Sequence, residues 1–423
     1  MSSVPRTTKS MSRPEWTLVI LLVASVVVNY ADRSNLSIAA PVLQKQLALS
    51  PLQIGSLLSA FFWTYALLQI AGLAGWLSDR FPAGLVLLWG YVLWSGATIA
   101  TGFLSSFALL YVARLALGAG ESIAYPCYSR IFAELPQEHR GRANALIDAG
   151  TKLGPALGTL LGGVLLIHFG WRVLFIGLGI ASLAWLIPWI RMMPASKQRG
   201  LAEASETLPA TRELLRVPSA WGTFLGHFCG NYFFYFLLAW LPLYLVHEQK
   251  FSLSATTRLT SAVFLAIGTS TIMAGWTSDS LIARGVSPTR ARKSMAVGGL
   301  AVASTLIPLA FLHSRDASIA LLFLACTGYG AYASNHWAIS QTLAGPAMAG
   351  RWTSIQNGVG NLSGIVGPWL AGAIVQTRGS SRLAFLISGL VALAGALFWG
   401  LMVPRVEQLT WAHPTPSAAV AKS

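Results

Sequence analysis

Long apolar blocks separated by short polar stretches run the whole length of the chain. Each block matches the roughly 20 residues that a helix needs to cross a hydrocarbon core of about 30 Å. Twelve such segments can be placed, near 16–43, 53–77, 85–105, 107–132, 143–168, 171–193, 220–246, 258–279, 296–313, 317–343, 352–377 and 382–404. The pattern predicts an all-α integral membrane protein with twelve transmembrane helices, since helices satisfy every backbone polar group internally. The first block, Trp16 to Leu43, is interrupted at its middle by Asn29-Tyr30-Ala31-Asp32-Arg33-Ser34-Asn35. A charge pair at the centre of a membrane segment costs at least a few kcal/mol, so it points to a watery cavity and to function. The basic stretch before this block resembles a signal peptide, but the length of the block and its charge pair make it a retained first helix.

Composition supports the membrane reading. Hydrophobic residues make up 54% of the chain and charged residues 10%, with a mean hydropathy of +0.60. The net charge of +15 is explained by topology and contact with anionic lipid, and no nucleic-acid partner is implied. Basic groups gather on one side: Arg6, Lys9 and Arg13; Arg130, Arg140 and Arg142; Lys197, Arg199, Arg212 and Arg216; Arg284, Arg290, Arg292 and Lys293. By the positive-inside rule both termini are cytoplasmic, and the expected location is the inner (plasma) membrane, crossed many times. Cys127, Cys229 and Cys326 fall inside predicted helices without motif spacing, so neither disulfide nor metal is expected.

An internal duplication divides the chain. Gly75-Trp76-Leu77-Ser78-Asp79 recurs as Gly275-Trp276-Thr277-Ser278-Asp279 at an offset of 200 residues. The expected organisation is a six-helix half over 1–193, a cytoplasmic linker over 194–219 with Ser205, Thr207, Pro209 and Thr211 among its charges, and a second six-helix half over 220–423 with a short tail. Gly75, Asp79, Arg80, Gly275 and Asp279 are the residues of a paired conformational loop, glycine permitting a tight turn and the acid accepting hydrogen bonds at a nearby helix N-terminus. Gly154-Pro155-Ala156-Leu157-Gly158 with Gly162-Gly163 on the fifth helix, and Gly360, Gly364, Gly367-Pro368 and Gly372 on the eleventh, form small-residue faces. These suit close helix packing, with a hinge as the alternative.

The ionisable residues expected inside the membrane are Asp32, Arg33, Arg114, Glu121, Asp148 and Lys152, three acids and three bases. Arg114 and Glu121 are seven residues apart, about two turns along one face, and Gly118 and Gly120 leave room beside the acid. A buried carboxylate has its proton affinity raised by burial and lowered by a nearby Arg, so Asp32 and Glu121 are candidate proton carriers; the alternative for Glu121 is a structural ion pair with Arg114. The planar, permanently charged guanidinium forks of Arg33 and Arg114 suit a carboxylate, unless each only neutralises its acidic neighbour. Asp148 and Lys152, four apart, are expected to pair with each other, with Lys152 as a substrate contact in the alternative. The second half offers neutral polar groups instead. These are His227, Asn231 and Tyr235 on the seventh helix, Asn335, His336, Trp337 and Gln341 on the tenth, and Gln356, Asn357 and Asn361 on the eleventh. Tyr30, Tyr65 and Trp337 provide flat walls, and Asn231, Gln341, Asn357 and Asn361 suit a hydroxyl-rich substrate, although helix-to-helix hydrogen bonding accounts for any one of them.

Gly75, Leu77, Asp79 and Arg80 follow the loop pattern of the major facilitator superfamily, which the chain resembles over nearly its whole length; Pro82 and Ala83 depart from it. The resemblance implies the major facilitator fold of two six-helix halves. Three stretches, Asn29 to Ser37, Arg114 to Glu121, and Gly345-Pro346 with Ala349-Gly350-Arg351-Trp352, Gln356-Asn357 and Gly360-Asn361, together resemble the anion:cation symporter family. That family includes bacterial galactonate, hexuronate, glucarate and phthalate transporters. The resemblance implies proton-driven uptake of an organic anion, with the coupling acids at Asp32 and Glu121 and with Arg33 and Arg114 in the anion site or its coupling network. Thr151-Lys152 stands after Gly150 where many relatives carry Gln, and the added cation favours a second carboxylate or a different pose.

The expected function is therefore proton-coupled symport of an organic anion, foremost a sugar acid such as a hexonate or hexuronate. The alternatives are an exchanger or exporter of aromatic or dicarboxylic acids, and a membrane sensor that transports nothing. No nucleophile, Walker or metalloprotease motif points to an enzyme, no cofactor is implied, and a monomer is the expected state.

Overall fold

The computed structural model describes residues 11–132, 137–193 and 211–411. Fifteen α-helices occur among these residues: α1 (Arg13–Gln46), α2 (Pro51–Ile70), α3 (Leu73–Arg80), α4 (Ala83–Thr101), α5 (Phe107–Ser122), α6 (Ala124–Phe132), α7 (Gln137–Ala184), α8 (Leu186–Met192), α9 (Thr211–Leu215), α10 (Pro218–His247), α11 (Leu253–Ala283), α12 (Pro288–Ala303), α13 (Leu306–Leu309), α14 (Arg315–Arg378) and α15 (Arg382–Leu397). A π-turn over Phe398–Met402 continues α15.

Twelve membrane crossings emerge from these elements. Ten helical stretches are long and apolar enough to cross a membrane. One of them, Leu146–Met192, reverses at Gly170, whose φ of 81° only glycine adopts readily, and so supplies two crossings. The pair α12 and α13 supplies the twelfth; α12, only 16 residues long, is completed by the turn of α13. Two crossings expected to be continuous are broken, at Ala71-Gly72 between α2 and α3 and at Ile123 between α5 and α6. Polar starts fix the helix ends: Ser12 with Glu15 and Ser50 with Gln53 form capping boxes, followed by Pro14 at the second helical position of α1 and Pro51 at the first of α2. Residues 194–210, most of the expected linker, lie outside the described residues, and the segment resumes as the short α9.

The helices bury aromatic cores and leave Ile20, Trp89, Met273 and Leu401 exposed around the outside, as a lipid-facing surface requires. In the first half Tyr91 stacks on Trp185 at 4.3 Å, and Trp185 on Trp189 at 4.9 Å. In the second, Phe233 and Phe234 stack on Tyr329 at 5.2 and 5.6 Å. The glycine-rich faces are packing faces. A Cβ at Gly154 or Gly158 would lie 2.5 Å from Tyr30 or Ala31 of α1, and one at Gly364 would lie 2.3 Å from Phe62 of α2.

The two halves pack closely at the end away from Gly75. There a Cβ at Gly55 would lie 2.7 Å from the Pro368 carbonyl and 2.9 Å from Gly372, and one at Gly163 would lie 2.2 Å from Thr257. Ser261 donates to the Ala156 carbonyl at 2.8 Å, joining α11 to α7. At the other end, Gly75 and Gly350 face open space.

Candidate functional site

The charges interrupting α1 are buried mid-helix, and the Arg33 side chain reaches toward α2 and α5. Asp32 is 3% exposed, Arg33 4%, Arg114 5% and Glu121 fully enclosed. Arg33 donates from Nε to Glu121 Oε2 at 2.9 Å. Glu121 therefore pairs with the arginine of another helix, and the alternative of a structural pair with Arg114 is corrected. Gly118 and Gly120, rather than opening space beside the acid, admit neighbouring backbones: a Cβ at Gly118 would sit 2.1 Å from the Phe61 carbonyl, and one at Gly120 would sit 2.9 Å from that of Gly90.

Three rings hold the Arg33 guanidinium from the sides, with Cζ 4.4 Å from the centroid of Tyr30 and 4.7 Å from those of Phe61 and Tyr65. Its Nη1 and Nη2 have no hydrogen-bond partner among the described residues, and neither does Arg114 Nε. Arg114 Cζ lies 5.8 Å from Phe61, so the same ring faces both cations. Asp32 accepts from Asn35 Nδ2 at 3.3 Å through Oδ1, while Oδ2 is buried without a partner. Asp32 also lies within electrostatic reach of Glu121 and Arg114. These four groups sum to zero, which limits the cost of burying each. Arg33 is not simply the counter-ion of Asp32, its neighbour in sequence.

Asp148 and Lys152 pair as expected at 3.5 Å, and Lys152 also donates to Thr151 Oγ1 at 2.9 Å. Lys152 keeps 16% of its side chain exposed and packs beside Gly268 of α11.

The neutral side is more interlocked than its spacing suggests. Tyr235 donates to Asn361 Oδ1 at 2.8 Å, and Asn361 donates to the Asn357 carbonyl at 2.9 Å, which fixes Asn361 inside the second half. Asn357 reaches across to the first half and donates to Gln69 Oε1 at 3.2 Å. Asn231 lies 3.3 Å from His227 Nε2. His227 stacks on His336 at 4.8 Å, and Trp337 packs against both at 4.9 and 4.8 Å. Trp337 and Asn231 are half-buried and Gln341 is exposed.

Of the paired loops, Gly75, Asp79 and Arg80 lie in α3 and Arg80 is exposed. Asp279, 72% exposed, is 3.7 Å from Arg292 Nη2, and Gly275 packs lightly on Ser334. Sequence reasoning missed Phe61, which faces Arg33 and Arg114, and Gln69, which bridges the halves. A ring one turn before Tyr65 and an amide two turns after Phe62 were the available signals.

Twelve crossings in two halves, with a charge-balanced cluster enclosed between helices, define a membrane carrier. The chain belongs to the Major Facilitator Superfamily, whose profile matches residues 22–368; members of this family are transporters and not enzymes. It is 31% identical to the chloroplastic ascorbate transporter of Arabidopsis thaliana, over 91% of this chain and 74% of that protein. It is 30% identical to the probable galactarate/D-glucarate transporter GarP of Escherichia coli (strain K12), over 93% of this chain and 95% of that one. Its fold is similar to that of a bacterial homologue of the human lysosomal transporter Spinster, solved in an inward-facing and occupied conformation. The TM-score is 0.77 at 19% identity, covering 93% of this chain and 97% of that one.

Proposed function

We propose that the protein is a proton-coupled symporter that takes up an organic anion, of the sugar-acid class, across the inner membrane. The observation that carries this reading is the divided state of Arg33. Glu121 holds Nε, while Nη1 and Nη2 have no hydrogen-bond partner among the described residues, which supports reading them as a planar fork for a carboxylate. Protonation of Glu121 removes its charge and turns the electrostatic attraction of Arg33 toward an incoming anion. Asp32, with one free carboxylate oxygen, is the second proton carrier. Arg114 adds positive potential beside the fork, and Tyr30 and Tyr65 wall it. Asn231, Trp337 and Gln341 are the contacts for hydroxyls, and Lys152 is the contact for a distal carboxylate.

Support for the substrate class comes from the relatives. Those compared above are named for ascorbate and for galactarate/D-glucarate, hydroxylated organic acids. With the basic, Gly75-bearing end placed in the cytoplasm, the close approach of Gly55 to Gly372 falls on the outer side, which supports reading this arrangement as closed there. The protein acts as a monomer in this reading.

Uptake by purified protein in liposomes under an inward proton gradient tests it, with galactonate, glucuronate, galacturonate, glucarate, phthalate and neutral glucose as the panel. Accumulation of one acid that collapses with a protonophore is expected, and Glu121→Gln is expected to abolish accumulation while preserving exchange. Transport of glucose alone, or full pH-driven accumulation by Glu121→Gln, contradicts the assignment.

A further inference from the structure

Immediately after Glu121 the backbone has a defect written into the sequence. In a continuous helix the Ser122 carbonyl would accept from the N–H of residue 126, but that residue is Pro126, which has none. The helix breaks there, α5 ending at Ser122 and α6 beginning at Ala124. Gln69 supplies the missing donor, Nε2 to the Ser122 carbonyl at 3.2 Å. The same amide accepts from Asn357 Nδ2 of α14 at 3.2 Å, so one side chain joins the backbone beside Glu121 to the opposite half. Gln69 itself sits one residue before the end of α2, where the chain breaks at Ala71-Gly72 and continues as α3 with Gly75, Asp79 and Arg80. Its amide thus stands between two helix breaks and one inter-half contact.

We infer that Gln69 is a positioning residue that couples the state of Glu121 to the arrangement of the two halves. When Asn357 moves with its half, Gln69 loses its acceptor role, and the backbone that carries Glu121 loses the orientation of its borrowed donor. Conversely, release of Glu121 from Arg33 shifts the α5 break and loosens the inter-half bond. The inference rests on the proton-coupled reading above. A side chain that merely capped the Ser122 carbonyl would need no partner in the second half.

The test uses Gln69→Leu, which keeps bulk and removes both hydrogen bonds, and the double variant Gln69→Leu/Pro126→Ala, which returns a backbone donor to Ser122 without restoring the inter-half bond. Substrate counterflow and proton-driven accumulation are measured for each in proteoliposomes. The expected result is counterflow close to that of the unmodified protein in both variants, with the accumulation ratio reduced about tenfold or more in both. Recovery of accumulation in the double variant would show that Gln69 is only a cap and would overturn the inference. Unchanged accumulation in Gln69→Leu, or loss of counterflow together with accumulation, would overturn it equally. Failure of the unmodified protein to concentrate substrate under a proton gradient would remove the underlying reading, and this is seen before any variant is compared.

Discussion

Replacing Arg33 by Lys preserves the positive charge and removes everything the structure shows to be specific about it. The guanidinium gives Nε to Glu121 at 2.9 Å, has both Nη groups without a hydrogen-bond partner among the described residues and lies within 4.7 Å of three ring centroids. An ammonium carries its three donors on one compact nitrogen, so it cannot present one flat edge to Glu121 and a second, bidentate edge to a carboxylate. Loss of one charge-assisted hydrogen bond costs about 1.5–3 kcal/mol. Weakened contact with the ring faces costs about a further 0.5–1 kcal/mol. A total near 3 kcal/mol corresponds to an affinity for the anion reduced about a hundredfold. Half-saturation of counterflow, read at one pH in proteoliposomes, reports this directly, with thermal unfolding of the purified variant as a control for folding. A rise of about threefold or less in a folded Arg33→Lys protein would amount to under 1 kcal/mol and would refute the fork as the anion's binding element.

Other expectations follow from contacts elsewhere in the molecule. Gly55→Val places side-chain atoms where the Pro368 carbonyl and Gly372 already stand, so the halves cannot close there; labelling of a cysteine at Gln44, which lines the adjoining crevice of about 270 Å³, should rise as uptake falls. Tyr235→Phe deprives buried Asn361 Oδ1 of its donor and should cost about 1–3 kcal/mol, measured as a lower unfolding temperature. Asp279→Asn removes a 3.7 Å pair whose acid is largely exposed, so stability should change by less than about 1 kcal/mol while transport slows; a large loss of stability would show the pair to be structural.

The crossings were legible because hydrophobic blocks of membrane length leave the chain few alternatives, and the cluster was legible because charges are rare there. Partner choice was not. Arg114 and Glu121 share one helix, yet Glu121 takes Arg33 of α1, 88 residues away in sequence, a contact that spacing along one helix does not report. Asn357 and Asn361 read singly as helix-to-helix bonds and only as part of a set as substrate ligands. The structure gives both amides hydrogen bonds, one across the halves and one within the second. The break at Ile123 was marked by Pro126, whose missing N–H shows its effect only once Gln69 of another helix is seen filling it.

The Arg33–Glu121 pair also bears on how an unloaded carrier returns. A lone guanidinium in the middle of a bilayer would make the empty protein pay a solvation penalty whenever it changed the side on which it opens. With Glu121 already in contact, the carboxylate would act, under the proposed function, as an internal stand-in for the anion. In the symport reading, the empty form is then electrically balanced at this point, and the expected outcome is net uptake into liposomes that hold no anion inside; uptake that requires a second anion within the liposomes would contradict it.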